Sequence, residues 1–157
     1  MLKGLKQLGK VYGYQIRSFN GTFDQIEYVI KEIKNNSRRA VVSLWNPTDL
    51  KDQALPCCFT EFIFSRDNDT LNMAVTFRSS DLFLGLPYDI IVLSLFLYKV
   101  AEETGLTPGN LGLNLVDAHI YENHKEQVKE YYRAPIYTLP SMTSFGVVED
   151  YKSGPFI

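Results

Sequence analysis

A chain of 157 residues with 45% hydrophobic and 13% aromatic side chains has enough apolar mass for one substantial core and is not a disordered segment. Its 16 basic and 18 acidic residues leave a net charge of −2, which supplies no basic surface for duplex nucleic acid. The longest apolar stretch, Ile90 to Leu97, is broken by Ser94 and is too short to span a bilayer. Lys3, Lys6 and Lys10 have no apolar run behind them, so no signal peptide is expected.

In chain order, Phe23 to Asn36 reads as an amphipathic helix. Phe23, Ile26, Val29, Ile30 and Ile33 recur at helical spacing, with Thr22 as N-cap and Asn35-Asn36 as the stop. Ala40 to Trp45 reads as a short strand stopped by Asn46-Pro47. Phe59 to Phe64 and Leu71 to Phe77 read as two strands joined by the polar loop Arg66-Asp67-Asn68-Asp69. Pro87 opens a long helix over Tyr88 to Thr104 that is apolar around most of its circumference until Lys99, the pattern of a buried central helix. Leu113 to Tyr121 reads as another strand and Glu122 to Arg133 as a polar helix. Helices and strands mix without regular alternation and no linker or repeat divides them, so residues 1–157 are read as a single α+β domain. The only cysteines, Cys57 and Cys58, are adjacent. They make no disulfide framework, and a reduced, cytoplasmic setting follows.

Five segments carry chemistry: VYGYQIR (Val11 to Arg17), SRR (Ser37 to Arg39), WNPTDL with ALPCC (Trp45 to Cys58), RSSDLFLGLPYD (Arg78 to Asp89) and DAHIYENH (Asp117 to His124). In order and spacing they resemble the thymidylate synthase family, whose pattern lies on Ser37 to Pro140 without a gap. The resemblance implies that family's mixed sheet and a pyrimidine nucleotide substrate. It implies 5,10-methylenetetrahydrofolate as the one-carbon donor. Activating carbon 5 of a pyrimidine requires a nucleophile to add at carbon 6, and a thiolate does this by Michael addition. Cys58 stands at the family's nucleophile position, with Arg78 beside it to favour the thiolate and Tyr12 as a further catalytic-site residue. A second register, with one extra residue in the hairpin loop, keeps Pro56-Cys57 together and makes Cys57 the nucleophile.

By the same resemblance, Arg78 and Ser79 bind the nucleotide phosphate from their own subunit, while Arg38 and Arg39 reach it from the other subunit of a homodimer. Arginine forks suit a phosphate. His119 and Tyr121 hold the deoxyribose 3′-hydroxyl, and their i, i+2 spacing on a strand would put both on one face. Asp81 recognises the pterin of the folate by accepting hydrogen bonds from its 2-amino-pyrimidinone edge.

The departures set the substrate expectation. Asp89 replaces the family asparagine that reads uracil, as in the dCMP hydroxymethylases. A carboxyl sharing one proton complements the exocyclic amine and ring nitrogen of cytosine, so the reading is 5-hydroxymethylation of dCMP. The alternatives are methylation of dUMP and a non-catalytic nucleotide-binding homologue. Phe59 replaces the histidine that follows the nucleophile. Only ten residues precede Val11, so the family's N-terminal segment, with its further phosphate-binding arginine and its water-ordering glutamate, is expected to be lacking. The tail that closes the family's site is not recognisable in Ser153 to Ile157.

Overall fold

A computed structural model of the chain describes residues 8–135, together with the backbone of strands at 141–144 and 147–149. Ser153 to Ile157 and the N-terminal Lys3 and Lys6 lie outside the described residues. The core is a four-stranded mixed sheet of order β1-β2-β3-β5. β1 (Val41–Ser43), β2 (Phe59–Asp67) and β3 (Thr70–Phe77) run antiparallel in turn, and β5 (Thr107–Leu115) joins β3 in parallel. A two-stranded parallel ladder of β4 (Ser80–Asp81) and β6 (Ala118–His119) continues from the end of β3. A separate antiparallel pair, β7 (Ser141–Ser144) and β8 (Val147–Glu149), follows.

The hairpin forms because β2 and β3 alternate. Phe62, Phe64, Leu71, Met73, Val75 and Phe77 are buried on one face, whereas Ile63 and Ala74 face outward. The turn is tighter than the four-residue loop read from sequence. Asp67 pairs with Thr70, and Asn68 takes the left-handed conformation at φ 52°, which asparagine tolerates. Near its start, β2 carries one extra residue between Phe59 and Glu61. This bulge reverses the alternation. Phe59, which would otherwise face away from Phe62, turns inward and packs on Phe62 and Phe77 at ring-centroid distances of 5.9 and 4.7 Å.

Helix α2 (Gln25–Lys34) lays Ile26, Val29 and Ile33 on this face of the sheet. Its N-cap is Asp24 rather than Thr22: the Asp24 carboxylate accepts from the N–H groups of Ile26 and Glu27, leaving Phe23 outside the helix. Helix α3 (Gly85–Thr104) ends at Gly105, in the left-handed region at φ 70°, with Leu106 N–H bonded to Ala101 O. Pro87 falls inside its first turn, where a missing N–H costs nothing. The expectation of a helix buried all round is corrected. Leu93, Leu97, Val100 and Ala101 pack inward, but Tyr88, Ile91 and Val92 are 69%, 56% and 58% exposed. The inner side of α3 meets β3, β4, β5 and α2, and Phe96 packs on Phe62 and Phe64 of β2 at 5.4 and 6.1 Å. No helix of the described residues is long and apolar enough to cross a membrane.

Two further boundaries differ from the sequence reading. β5 starts at Thr107 rather than Leu113, because parallel pairing with β3 recruits Pro108 and Gly109 despite their poor strand propensity. Gly109 allows a close approach there, since a Cβ would lie 2.4 Å from Thr70 Cγ2 and 3.1 Å from Leu71 O. The polar segment after β6 divides into a 3₁₀ turn, Glu122–His124, and α4 (Lys125–Arg133). The short helix α1 (Tyr12–Arg17) had no periodicity to announce it; tertiary bonds hold it in place. Gln15, fully buried, donates to Lys10 O and to Asp49 Oδ2 at 2.9 and 3.0 Å.

Asp49 anchors that network. Lys10 Nζ lies 2.8 Å from its Oδ1, and Asn46 Nδ2 lies 3.0 Å from Oδ2. The Lys10 hydrogen bond, then that of Gln15, hold the Asp49 carboxyl below the usual carboxylate range. A depressed pKa contributes stability above the unfolded value, and that stability is lost as pH falls through the folded value. The urea midpoint of the wild type should therefore drop on acidification below about pH 4. Asp49→Asn should start lower at pH 7 and show a smaller acid drop; equal acid drops in the two proteins would refute the assignment.

Candidate active site

The β2–β3 hairpin brings Cys58 and Arg78 side by side, because one immediately precedes β2 and the other follows β3. Arg78 N–H donates to Cys58 O at 2.9 Å. The guanidinium is pinned to the same segment, Nε donating to Cys57 O at 2.9 Å and Nη2 to Pro56 O at 2.8 Å, while the group stacks on Trp45 at 5.7 Å. On the other side, Cys58 N–H donates to the Tyr12 hydroxyl at 2.8 Å. Cys58 is thus clamped from both flanks by residues 46 and 20 positions away in sequence. Burial pushes the Tyr12 hydroxyl pKa up, so it stays protonated and neutral.

The two cysteines differ. Cys57 is 1% exposed and Cys58 is half-buried. Burial raises the Cys57 thiol pKa, which disfavours its thiolate.

Tyr12 and Phe59 also line a pocket of about 340 Å³ with Asp89. The remaining walls are Ile16, Phe62, Val92, Leu93 and Phe96. Asp89 therefore faces apolar surroundings, and desolvation alone raises its carboxyl pKa. It projects from the first turns of α3, one turn after Gly85, whose backbone also packs near Asp81: an added Cβ there would lie 3.4 Å from Asp81 Cβ and 3.9 Å from Asp89 Oδ2.

Asp81 heads the turn into α3. Its Oδ1 accepts from Phe83 N–H at 3.1 Å and more weakly from Leu84 N–H at 3.4 Å, while Oδ2 has no hydrogen-bond partner among the described residues. The carboxylate thus shapes the turn and keeps an acceptor for a ligand edge. The β4–β6 ladder pairs Asp81 directly with His119. His119 and Tyr121 rings meet edge to face at 5.1 Å. β6 is too short to include Tyr121, so this meeting comes from the turn that follows rather than from strand alternation.

Ser79 Oγ donates to Asp117 Oδ2 at 3.2 Å, and His119 Nδ1 lies 3.2 Å from Asp117 O. Asp117 was not singled out from sequence, although it heads the DAHIYENH segment. Trp45, under Arg78, was likewise only a motif letter. Ile16, Phe62, Val92, Leu93 and Phe96 carried no signal beyond hydrophobicity.

Arg38 and Arg39 do not join this group. They sit on the turn after α2, where Asn36 takes the left-handed conformation at φ 51°, around an open concavity of about 570 Å³ shared with Glu32, Asn35, Asn36 and Ser37. Among the described residues neither forms an ion pair. β1 pairs antiparallel with β2, Val41 opposite Ile63 and Ser43 opposite Glu61. The arginines therefore precede the end of β1 remote from Cys58, about 20 Å away at roughly 3.3 Å per residue.

Native protein treated with iodoacetamide should be modified at Cys58, with Cys57 at least about tenfold slower. After unfolding both should react, as read by peptide mass spectrometry. Faster native labelling of Cys57 would reverse the assignment of the reactive thiol.

A family model described as thymidylate synthase matches residues 2–152. The chain is 50% identical over 129 residues to the thymidylate synthase of Mycoplasma genitalium, a match covering 81% of this chain and 45% of that protein. It is 42% identical over 150 residues to that of Symbiobacterium thermophilum, covering 87% of this chain and 53% of that protein. Among solved structures, the crystal structure of thymidylate synthase from T4 phage superposes with a TM-score of 0.81 at 36% identity, covering 95% of this chain and 61% of that one. The chain spans about half the length of the curated relatives it matches.

Proposed function

We propose that this chain, which belongs to the thymidylate synthase family, transfers a one-carbon unit to carbon 5 of a pyrimidine deoxynucleotide through a covalent adduct on Cys58. The observation that carries this reading is the double role of Tyr12: its hydroxyl takes the Cys58 N–H while its ring shares a pocket with Asp89. A base lodged against Asp89 would then lie beside the thiol.

In the step proposed, the Cys58 thiolate adds to carbon 6 and the C5–C6 electron pair moves toward the oxygen or amine at position 4. Carbon 5 becomes the nucleophile, takes the one-carbon unit and loses its proton. Elimination then returns the thiolate. 5,10-Methylenetetrahydrofolate would supply the one-carbon unit and leave as tetrahydrofolate when water completes a hydroxymethyl group, or as dihydrofolate when it also gives the hydride of a methylation. Asp81 fits such a group, because Oδ2 is an acceptor left over from the turn. Tyr12 and the apolar walls exclude water, and Arg78, with two donors already fixed on carbonyls, offers its remaining N–H groups to the phosphate. Because Arg38 and Arg39 stand about 20 Å away along the sheet, they would complete the phosphate site of a second copy in a homodimer.

The relatives named thymidylate synthase, at 42–50% identity, support methylation of dUMP as the first reading. Asp89 supports a second, 5-hydroxymethylation of dCMP. The raised pKa of Asp89 joins the two readings physically. A neutral carboxyl has one donor and one acceptor, and either oxygen carries the proton. It can donate to O4 and accept from N3–H of uracil, or donate to N3 and accept from the amine of cytosine. Once ionised it faces a lone pair on either base. Use of both nucleotides should therefore fall as pH rises through the raised pKa of Asp89.

The test is tritium release from 5-tritiated dUMP and dCMP with methylenetetrahydrofolate. Wild type should release tritium, and Cys58→Ala should lose at least about a thousandfold, as removal of a covalent nucleophile does. Asp89→Asn should favour dUMP by tenfold or more and lose the alkaline decline. Dihydrofolate formation marks methylation; a 5-hydroxymethyl product without it marks the second reading. Nucleotide binding without release from either substrate would leave a non-catalytic nucleotide-binding homologue.

A further inference from the structure

We propose that His124 is a positioning residue, whose ring locks Tyr121 to the Asp81 turn so that the nucleotide and one-carbon-donor sides of the site are set together. This deepens the proposed function and rests on it. His124 closes the 3₁₀ turn Glu122–His124, where its N–H bonds Tyr121 O at 3.0 Å. Its ring lies between two aromatic side chains from different segments. Phe83, two residues after Asp81, approaches at 5.6 Å, and Tyr121 meets it edge to face at 6.0 Å and 82°. Phe83 is tied to Asp81 because its own N–H donates to Asp81 Oδ1. Tyr121 is tied to His119 by their edge-to-face contact. The path Asp81–Phe83–His124–Tyr121–His119 is therefore a continuous chain of packed or bonded groups.

The way His124 is held indicates how it acts. Its Nδ1 is shielded from solvent and has no hydrogen-bond partner among the described residues, so the ring is held by packing and not by a polar bond. Packing alone predicts that another flat ring can replace it. Removing the ring leaves Phe83 held only by Tyr131 and Tyr121 only by His119 among these aromatic contacts, so both ligands should lose affinity while the thiol chemistry, centred on Cys58, stays intact once they are bound.

The experiment measures KM for nucleotide and for methylenetetrahydrofolate, with kcat, in the tritium-release assay for wild type, His124→Ala and His124→Phe. Thermal midpoints are followed in parallel. His124→Ala should raise both KM values by about tenfold, the size of two lost aromatic contacts, with kcat within about threefold of wild type. His124→Phe should restore both KM values to within about threefold. Unchanged KM values in His124→Ala, a rise in only one of them, or a Phe variant no better than Ala would overturn the proposal. So would a lowered thermal midpoint as the sole effect. If wild type itself neither binds nucleotide nor releases tritium, the functional reading falls and this proposal with it. Wild-type turnover with an indifferent His124→Ala removes this proposal alone.

Discussion

One extra residue in β2 governs the geometry of the site. Strand alternation is strict, so without the bulge between Phe59 and Glu61 the side chains at the mouth of the strand would point to opposite faces. With it, Phe59 turns into the core against Phe62 and Phe77 and becomes part of the Asp89 pocket wall. The residue just before it, Cys58, remains half-buried. The register of β2 on β3 then fixes Arg78 opposite Cys58. The Arg78 side chain secures Pro56 and Cys57 in turn, so the ladder that builds the core also holds the backbone that carries the thiol.

A second constraint is the contrast between neighbouring environments. Arg78 stacks on Trp45 and bonds two carbonyls, which holds a permanent cation next to Cys58. Asp89, set among apolar walls, is desolvated and keeps its proton to higher pH than an ordinary carboxylate. A fixed cation beside a largely apolar pocket suits a ligand with an anionic end and an uncharged aromatic ring. The Phe at position 59 deepens that contrast, since a polar side chain there would bring water beside Asp89.

A single copy of the chain does not gather every basic group into this site. Arg38 and Arg39 leave α2 at a left-handed turn and face an open concavity at the far end of the β1–β2 ladder. Both guanidiniums are exposed, and among the described residues neither has an ion-pair partner, so both are free to meet an external anion. Helix α3 tells a similar story in apolar terms: Leu93 and Leu97 are buried while Ile91 and Val92 stay exposed, so its composition exceeds what the described contacts use.

The sequence by itself determined the α+β class, the hairpin, α2 and the identity of the chemical groups. Periodicities of two and 3.6 residues are local properties, and the five motif segments are legible letter by letter. Tertiary structure decided the rest. α1 exists because Gln15 bonds Asp49 across the fold, not because of its own propensity. β5 extends back through Pro108 and Gly109 because β3 offers a parallel partner. The choice between Cys57 and Cys58 was open in the letters LPCC; burial separates them, since Cys57 is fully buried and Cys58 only half-buried. Asp89 could be read as a base-contacting residue, yet the upward push on its pKa comes from burial among walls that include Tyr12, Phe59 and Phe96. Spacing along a chain specifies which groups share a face of one element. Only packing between elements specifies which groups share a pocket, and with it their solvation and charge.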